Sequence, residues 1–327
     1  MNKKYKIAVL GPIPYTHITN WKNEVSERYG AITYPVMALA KLFDQEADII
    51  PVTHVRKKDE QTVKALFKGL HGIELQHIDS DLDQGDVIRM RVVDTKKYLE
   101  KQYGFMNPIT PRDVRDLLNS DVFVFVPLTD YEISLETLEF VRAYSKATII
   151  FDAHGPTTAM TALGDRVPKF WVDRDLWLPN IDFLVMNIEE VKCSWFAKEY
   201  TLEELESRDE ISEQEIMAFA AHCFSFGVKV LYITLAERGC AVYYHEEGKV
   251  QVKQIPAIAK EIVSPIGCGE AFIGGLTYGW LTTRDLVKAA YFGNALGAQR
   301  CEGLTYDVFK SSEITKKLIA DSYVSGA

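Results

Sequence analysis

Short apolar runs alternate with stretches of helical periodicity along most of this chain. Residues 7–10 form an apolar run that stops at Gly11-Pro12, and residues 35–43 repeat Val36, Leu39, Ala40 and Phe43 at helical spacing. Residues 47–52 read as a strand and 60–70 as a helix. Further strands are expected over 122–126, 147–151, 182–186 and 228–234, with helices over 112–118 and 135–144. Uninterrupted apolar strands alternating with helices predict a mainly parallel sheet buried between two helical layers. Two stretches break the alternation. Residues 15–34 are polar and irregular, and 87–103 begin with the apolar–polar alternation of a half-exposed ribbon. Together they predict a small flap beside the main sheet.

In an open sheet of this kind, ligands bind beyond the carboxyl ends of the strands. Asp152, Asn187 with Glu190, Thr234, and residues 264–270 all follow apolar runs, so the pattern predicts that they converge on one edge. Ser264-Pro265-Ile266-Gly267-Cys268-Gly269-Glu270 is the most informative of these segments. It reads as a strand end at 261–263, a glycine turn, and a helix carried on by Phe272, Leu276 and Trp280. Glycines let the backbone approach a ligand closely, and a helix N-terminus offers unpaired amides to an anion. A carboxylate on that first turn suits phosphoryl transfer, where donors stabilise the moving group and a base takes the acceptor's proton. Gly274-Gly275 lie within the same helix, where each costs about 1 kcal/mol relative to alanine, so close backbone approach is expected there.

Other residues carry more than one reading. Asn187-Ile188-Glu189-Glu190 is a helix capping box, and its oxygens also suit Mg²⁺. Thr234–Gly239 is a strand exit that could line a nucleotide pocket. His154, two residues after Asp152, is either a titrating group or a satisfied loop residue. Cys268 at a helix N-terminus raises a rival, a cysteine nucleophile. A nucleophile elbow needs glycines two residues to either side, and Ile266 and Glu270 occupy those places.

Composition narrows the field. The 327 residues carry a net charge of −9, which disfavours a broad nucleic-acid or anionic-membrane surface. Five scattered cysteines form no CxxC pair, so neither a disulfide framework nor a zinc site is expected, and a reducing cytoplasm is the natural setting. No apolar run is long enough for a transmembrane helix, and residues 1–10 are too short for a signal peptide. A GxxxxGK[ST] loop is absent, and Phe272 spoils a GxGxxG reading.

In this order, these residues resemble the PfkB/ribokinase-like carbohydrate kinases, most strongly after Phe151. Ser264–Gly275 follows the shape of the family's D-T-x-G-A-G-D-x-F-x-x-G signature. Residues 187–190 match its N-x-x-E motif, and 234–239 its T-x-G-x-x-G nucleotide turn. Asn294-Ala295-Leu296-Gly297-Ala298 is similar to the late helix beside the adenine. The resemblance implies a single ribokinase-like α/β/α domain over 1–327, with lid segments at about 14–34 and 86–107. It implies transfer of the ATP γ-phosphoryl group to a hydroxyl acceptor. Glu270 would be the base, and Gly267, Cys268 and Gly269 the anion hole. Asn187, Thr234, Ala236, Gly239 and Asn294 would hold the nucleotide, and Glu190 the Mg²⁺. Thr16, Gly30, Tyr34 and Asp152 would face the acceptor, and two lids could pair in a homodimer.

Six positions depart from the family pattern. Glu270 stands for the catalytic Asp, and a shift of that size costs about 10²-fold where nothing compensates. Cys268 replaces a small residue, Ser264 an Asp associated with a monovalent cation, and Ala236 a glycine. Thr16 and Tyr34 replace an acid and an amide that hold sugar hydroxyls, which points away from an ordinary pentose or hexose. The same departures motivate the alternative of a non-catalytic nucleotide- or metabolite-binding protein on this fold.

Overall fold

The computed structural model describes residues 4–93, 98–196 and 211–323. Residues 94–97 of the expected lid lie outside the described residues. Nine strands form the main sheet, in the order Lys249–Ile255, Cys240–Glu246, Val230–Thr234, Phe183–Asn187, Thr148–Asp152, Val122–Phe125, Tyr5–Leu10, Ala47–His54 and Ile78–Asp79. Pairing is parallel from Val230–Thr234 to Ile78–Asp79 and antiparallel at the other edge.

Alternation along each strand divides the core in two. Val122 and Val124 face one layer, and Phe123 and Phe125 the other. Phe183 and Val185 are likewise set against Leu184 and Met186. Helices Thr33–Phe43, Cys268–Thr283 and Leu286–Cys301 cover the first face. Helices Leu135–Tyr144, Ile188–Ser194 and Glu213–Ser225 cover the second. The layered α/β architecture expected from the pattern is what the chain adopts.

Gly274 and Gly275 explain themselves at the helix contacts. A Cβ on Gly275 would strike the Phe292 carbonyl, and one on Gly274 would lie 3.0 Å from the Pro35 Cα. The two glycines let helix Cys268–Thr283 lie against both neighbours.

The two irregular stretches form one four-stranded lid, ordered Val25–Tyr29, Tyr15–Thr19, Val87–Val92, Tyr98–Gly104. Ile18, Met90 and Val92 make its buried face, and Ile266 of the glycine turn packs against them. The lid therefore rests directly on the segment singled out from sequence.

Two local expectations fail. Residues 261–263 are not a strand: Ile262 and Val263 are 52% and 44% exposed, and the chain runs as a loop from 256 to the helix. The Val263 and Ser264 amides bond the Cys301 carbonyl instead of a sheet neighbour. The helix expected over 112–118 is one α turn, Pro111–Val114, followed by a 3₁₀ turn, Arg115–Leu117.

Candidate active site

Gly267 caps helix Cys268–Thr283 in a left-handed conformation, with φ 84° and ψ 8°. A side chain there would be strained, and it would also strike the ring of Tyr34. The Gly267 and Gly269 amides have no backbone acceptor among the described residues, while the Cys268 amide reaches the Pro265 carbonyl at 3.4 Å. Nothing lies within 4 Å of a Cβ built on Gly269, so that side of the turn opens onto free space. Glu270 follows on the first helical turn. Burial raises its carboxyl above the usual range, and His154 and Arg300 pull the other way.

Three elements bring acids towards Glu270. Asp152 ends its strand and is held well above the ordinary carboxylate range by burial, then by Glu190, with Glu270 adding to the repulsion. Its Oδ1 accepts the His154 amide at 3.1 Å. Asn187 and Glu190 form the capping box read from sequence. The Glu190 amide donates to Asn187 Oδ1 at 2.9 Å, and the Asn187 amide donates to Glu190 Oε2 at 2.8 Å. Glu190 Oε1 also accepts Asn187 Nδ2 at 2.6 Å and lies 3.0 Å from His154 Nδ1.

His154 is thus a linked member of the cluster. Its Nε2 lies 3.0 Å from an Arg166 nitrogen, and Arg166 also pairs with Glu100 of the lid at 3.2 Å. Sequence reasoning missed Arg166. It sits 12 residues past His154 in a short hairpin, with no motif to mark it.

The residues expected to face an acceptor also meet the turn. A Cβ on Gly30 would lie 3.8 Å from the Tyr34 ring and 4.0 Å from Thr16 Oγ1. The Thr16 hydroxyl donates to the Pro14 carbonyl at 3.4 Å. Tyr34 is 1% exposed, and its hydroxyl has no partner among the described residues.

Of the residues expected to hold a nucleotide, Thr234 pairs in register with Asn187, and its hydroxyl reaches the Met186 carbonyl at 3.4 Å. Ala236 takes φ 52°, a left-handed conformation that costs a non-glycine residue about 1–2 kcal/mol. Gly239 takes φ 95°, and any side chain would strike the Ile255 carbonyl. Asn294 Nδ2 is committed to the Ile255 and Pro256 carbonyls and to Tyr323, so this amide ties the wall together.

Nothing around the Cys268 thiol activates it as a nucleophile among the described residues. Burial pushes it up to about 12, and it donates to the Ser264 carbonyl. A separate cavity of about 470 Å³, lined by His54, His77, Asp79, Arg112 and Asp113 among others, includes none of the residues singled out from sequence.

Among the described residues, no group of three or more His, Cys, Asp or Glu side chains is arranged to hold a metal ion. Glu190 is already hydrogen-bonded through both oxygens. The residues present therefore fit a magnesium ion held largely by water and phosphate, with Asp152 and Glu190 behind it, rather than a protein cage.

The sheet order, the lid and a glycine-capped helix beside an acid define a ribokinase-like α/β fold. Solved structures bear this out. The ribokinase of Giardia lamblia superposes with a TM-score of 0.73 at 15% identity, covering 98% of this chain and 99% of that one. A pyrophosphate-dependent kinase of the ribokinase family, solved with sulfate, gives 0.72 at 15% identity over 92% and 98%. The Burkholderia thailandensis nucleoside kinase with inosine gives 0.70 at 17% identity over 97% and 99%. The family model for pfkB carbohydrate kinases matches residues 140–304, half of the chain, and the chain belongs to that family. An uncharacterised sugar kinase of Archaeoglobus fulgidus is 27% identical over 101 residues, which span 30% of this chain and 39% of that protein.

Proposed function

We propose that this chain is a small-molecule kinase that transfers the γ-phosphoryl group of ATP to a hydroxyl of a small metabolite. The observation that carries the reading is Glu270 on the first turn behind Gly267 and Gly269, facing Asp152 and His154. Glu270 takes the acceptor's proton, and its burial brings it closer to the operating pH, which suits a general base. The free amides of Gly267 and Gly269, at the positive end of a 16-residue helix, stabilise charge on the moving group. Magnesium, when bound with the nucleotide, neutralises phosphate charge.

Thr234, Ala236 and Gly239 line the nucleotide side, with Asn187 beside them and Asn294 fixing the wall. Thr16 and Gly30 face the acceptor under the lid. Tyr34, at the position of the family's amide, instead packs its buried ring against Gly267, so the acceptor is held without that amide. Leu99 and Val25 are more than half exposed on the lid, which supports lid-to-lid pairing of two copies. Free thiols at all five cysteines support a reducing cytoplasm.

A thermal-shift screen of ATP–Mg²⁺ with a metabolite library, followed by a phosphoryl-transfer assay on the hits, tests this reading. At least one hydroxyl acceptor is expected to turn over. ATP binding with no transfer across sugars, nucleosides and vitamin precursors would instead establish a binding protein.

A further inference from the structure

Arg300 is 0% exposed, yet two of its guanidinium nitrogens, Nε and Nη2, have no hydrogen-bond partner among the described residues. Its other nitrogen donates to the Gly303 carbonyl, and the guanidinium lies 4.8 Å from the centre of the Tyr34 ring. No salt bridge to it exists among the described residues. A buried cation without a counter-charge is costly and persists when something else requires it.

Its surroundings say what that is. Tyr34, on which it stacks, abuts Gly267. Gly297, one helical turn earlier, faces the Cys268 carbonyl, and the Cys301 carbonyl holds the Ser264 amide. The guanidinium therefore backs the glycine turn through the Tyr34 ring, close enough to act on Glu270. The front of the turn is acidic, with Asp152 and Glu190 from the sheet edge, Glu270 on the helix and Glu100 from the lid. His154 and Arg166 oppose them from that side, and Arg166 is already paired with Glu100. A fixed positive charge near the turn helps bring phosphate into such a field, beside whatever magnesium supplies.

We propose that Arg300 is a positioning residue for phosphoryl transfer, a permanently charged group that makes the Gly267–Gly269 turn attractive to phosphate from behind. The inference rests on the kinase reading for its catalytic half, while its anion-binding half stands without turnover. Arg300 does not touch substrate. It acts through the turn and through Glu270, with its planar cation stacked on Tyr34.

The test compares wild type with Arg300→Lys, Arg300→Met and Ser264→Asp. ATP affinity is measured by calorimetry, and pH–rate profiles are taken on whichever acceptor turns over. Arg300→Met is expected to weaken ATP binding about tenfold, to lower kcat by about 10²-fold, the size of a lost donor in a preorganised anion site, and to move the acid limb to higher pH. Arg300→Lys should stay near wild type, and added guanidinium should restore part of the Arg300→Met loss. Ser264→Asp leaves the arginine in place but adds a carboxylate on the loop bonded to the Cys301 carbonyl, next to Arg300 in sequence, and should also weaken ATP. Unchanged ATP affinity and an unmoved acid limb in Arg300→Met would overturn the proposal, as would losses in Met and Lys variants that simply follow their melting temperatures. If Arg300→Met does not fold, Ser264→Asp decides alone, and wild-type ATP affinity there rejects the idea. A wild type that binds ATP but phosphorylates nothing refutes the kinase reading while the affinity comparison still judges Arg300.

Discussion

The two sides of the glycine turn are built by opposite rules. In front, the polar groups close on one another: Asn187 and Glu190 cap reciprocally, His154 bridges Glu190 and Arg166, and Arg166 reaches Glu100 in the lid. Behind, Thr33 Oγ1, the Tyr34 hydroxyl and two nitrogens of Arg300 are buried without partners among the described residues. The front is partly open, with the His154 side chain 35% exposed, whereas Thr33, Tyr34 and Arg300 are fully buried. The difference lies in what each side already has. A satisfied network holds a shape, whereas buried groups left unsatisfied mark where stability has been exchanged for something the fold alone does not need.

That contrast makes an ordered set of predictions. Arg166→Met should be the most damaging, because it strands Glu100 and His154 near other acids. Loss of one partner in a buried charge pair costs about 3–5 kcal/mol, readable in urea denaturation. A loss below about 1 kcal/mol would show that the front network is not mutually supporting. Gly267→Ala combines a left-handed φ with a collision against Tyr34. Strain of about 1–2 kcal/mol plus overpacking should together lower stability by roughly 3 kcal/mol, with the melting temperature down by several degrees. A normal melting temperature would mean the turn can relax.

Arg300→Met should leave stability within about 1 kcal/mol of wild type, since the arginine has no carboxylate partner to strand. A large loss in denaturation experiments would place it with the front network and dissolve the comparison.

The smallest effect concerns a third pair of acids at the base of the lid. Asp86 and Glu132 are 2% and 0% exposed, and each has one oxygen bonded to the surrounding protein and one without a partner. Burial raises both carboxyls, Glu132 most strongly. The folded chain then binds more protons than the unfolded chain at pH values above the ordinary carboxylate range, and stability falls as pH rises through that window. Melting curves across pH should show this decline, and Glu132→Gln should flatten it. An identical decline in the mutant would assign it elsewhere.

Much of this was legible in the sequence because it is local. The glycine turn, the capping box at Asn187–Glu190 and the strand exits at Asp152 and Thr234 are each encoded within a few residues, where propensity and spacing act directly. The Gly274-Gly275 pair announced a close helix contact because its cost inside a helix demands a reason. The misread strand at 261–263 had the right residue types, but Ile262 and Val263 are exposed, and periodicity cannot tell an apolar loop from a strand three residues long. Arg166 and Arg300 were invisible for a different reason. Each owes its role to groups far off in sequence, Glu100 for one and Tyr34 for the other, and no local pattern records such a meeting. His154 was seen but not decided, since only the fold supplies Glu190 and Arg166 on its two nitrogens.

The central claim is that Glu270, one methylene longer than the family's acid, still serves as the base. Single-turnover transfer from γ-labelled ATP to the acceptor found by screening, run on wild type and Glu270→Gln with ATP affinity measured in parallel, tests it directly. The account predicts transfer by wild type, a loss of about 10³-fold or more in the mutant, and ATP binding that survives the substitution. Transfer at an undiminished rate by Glu270→Gln would contradict it.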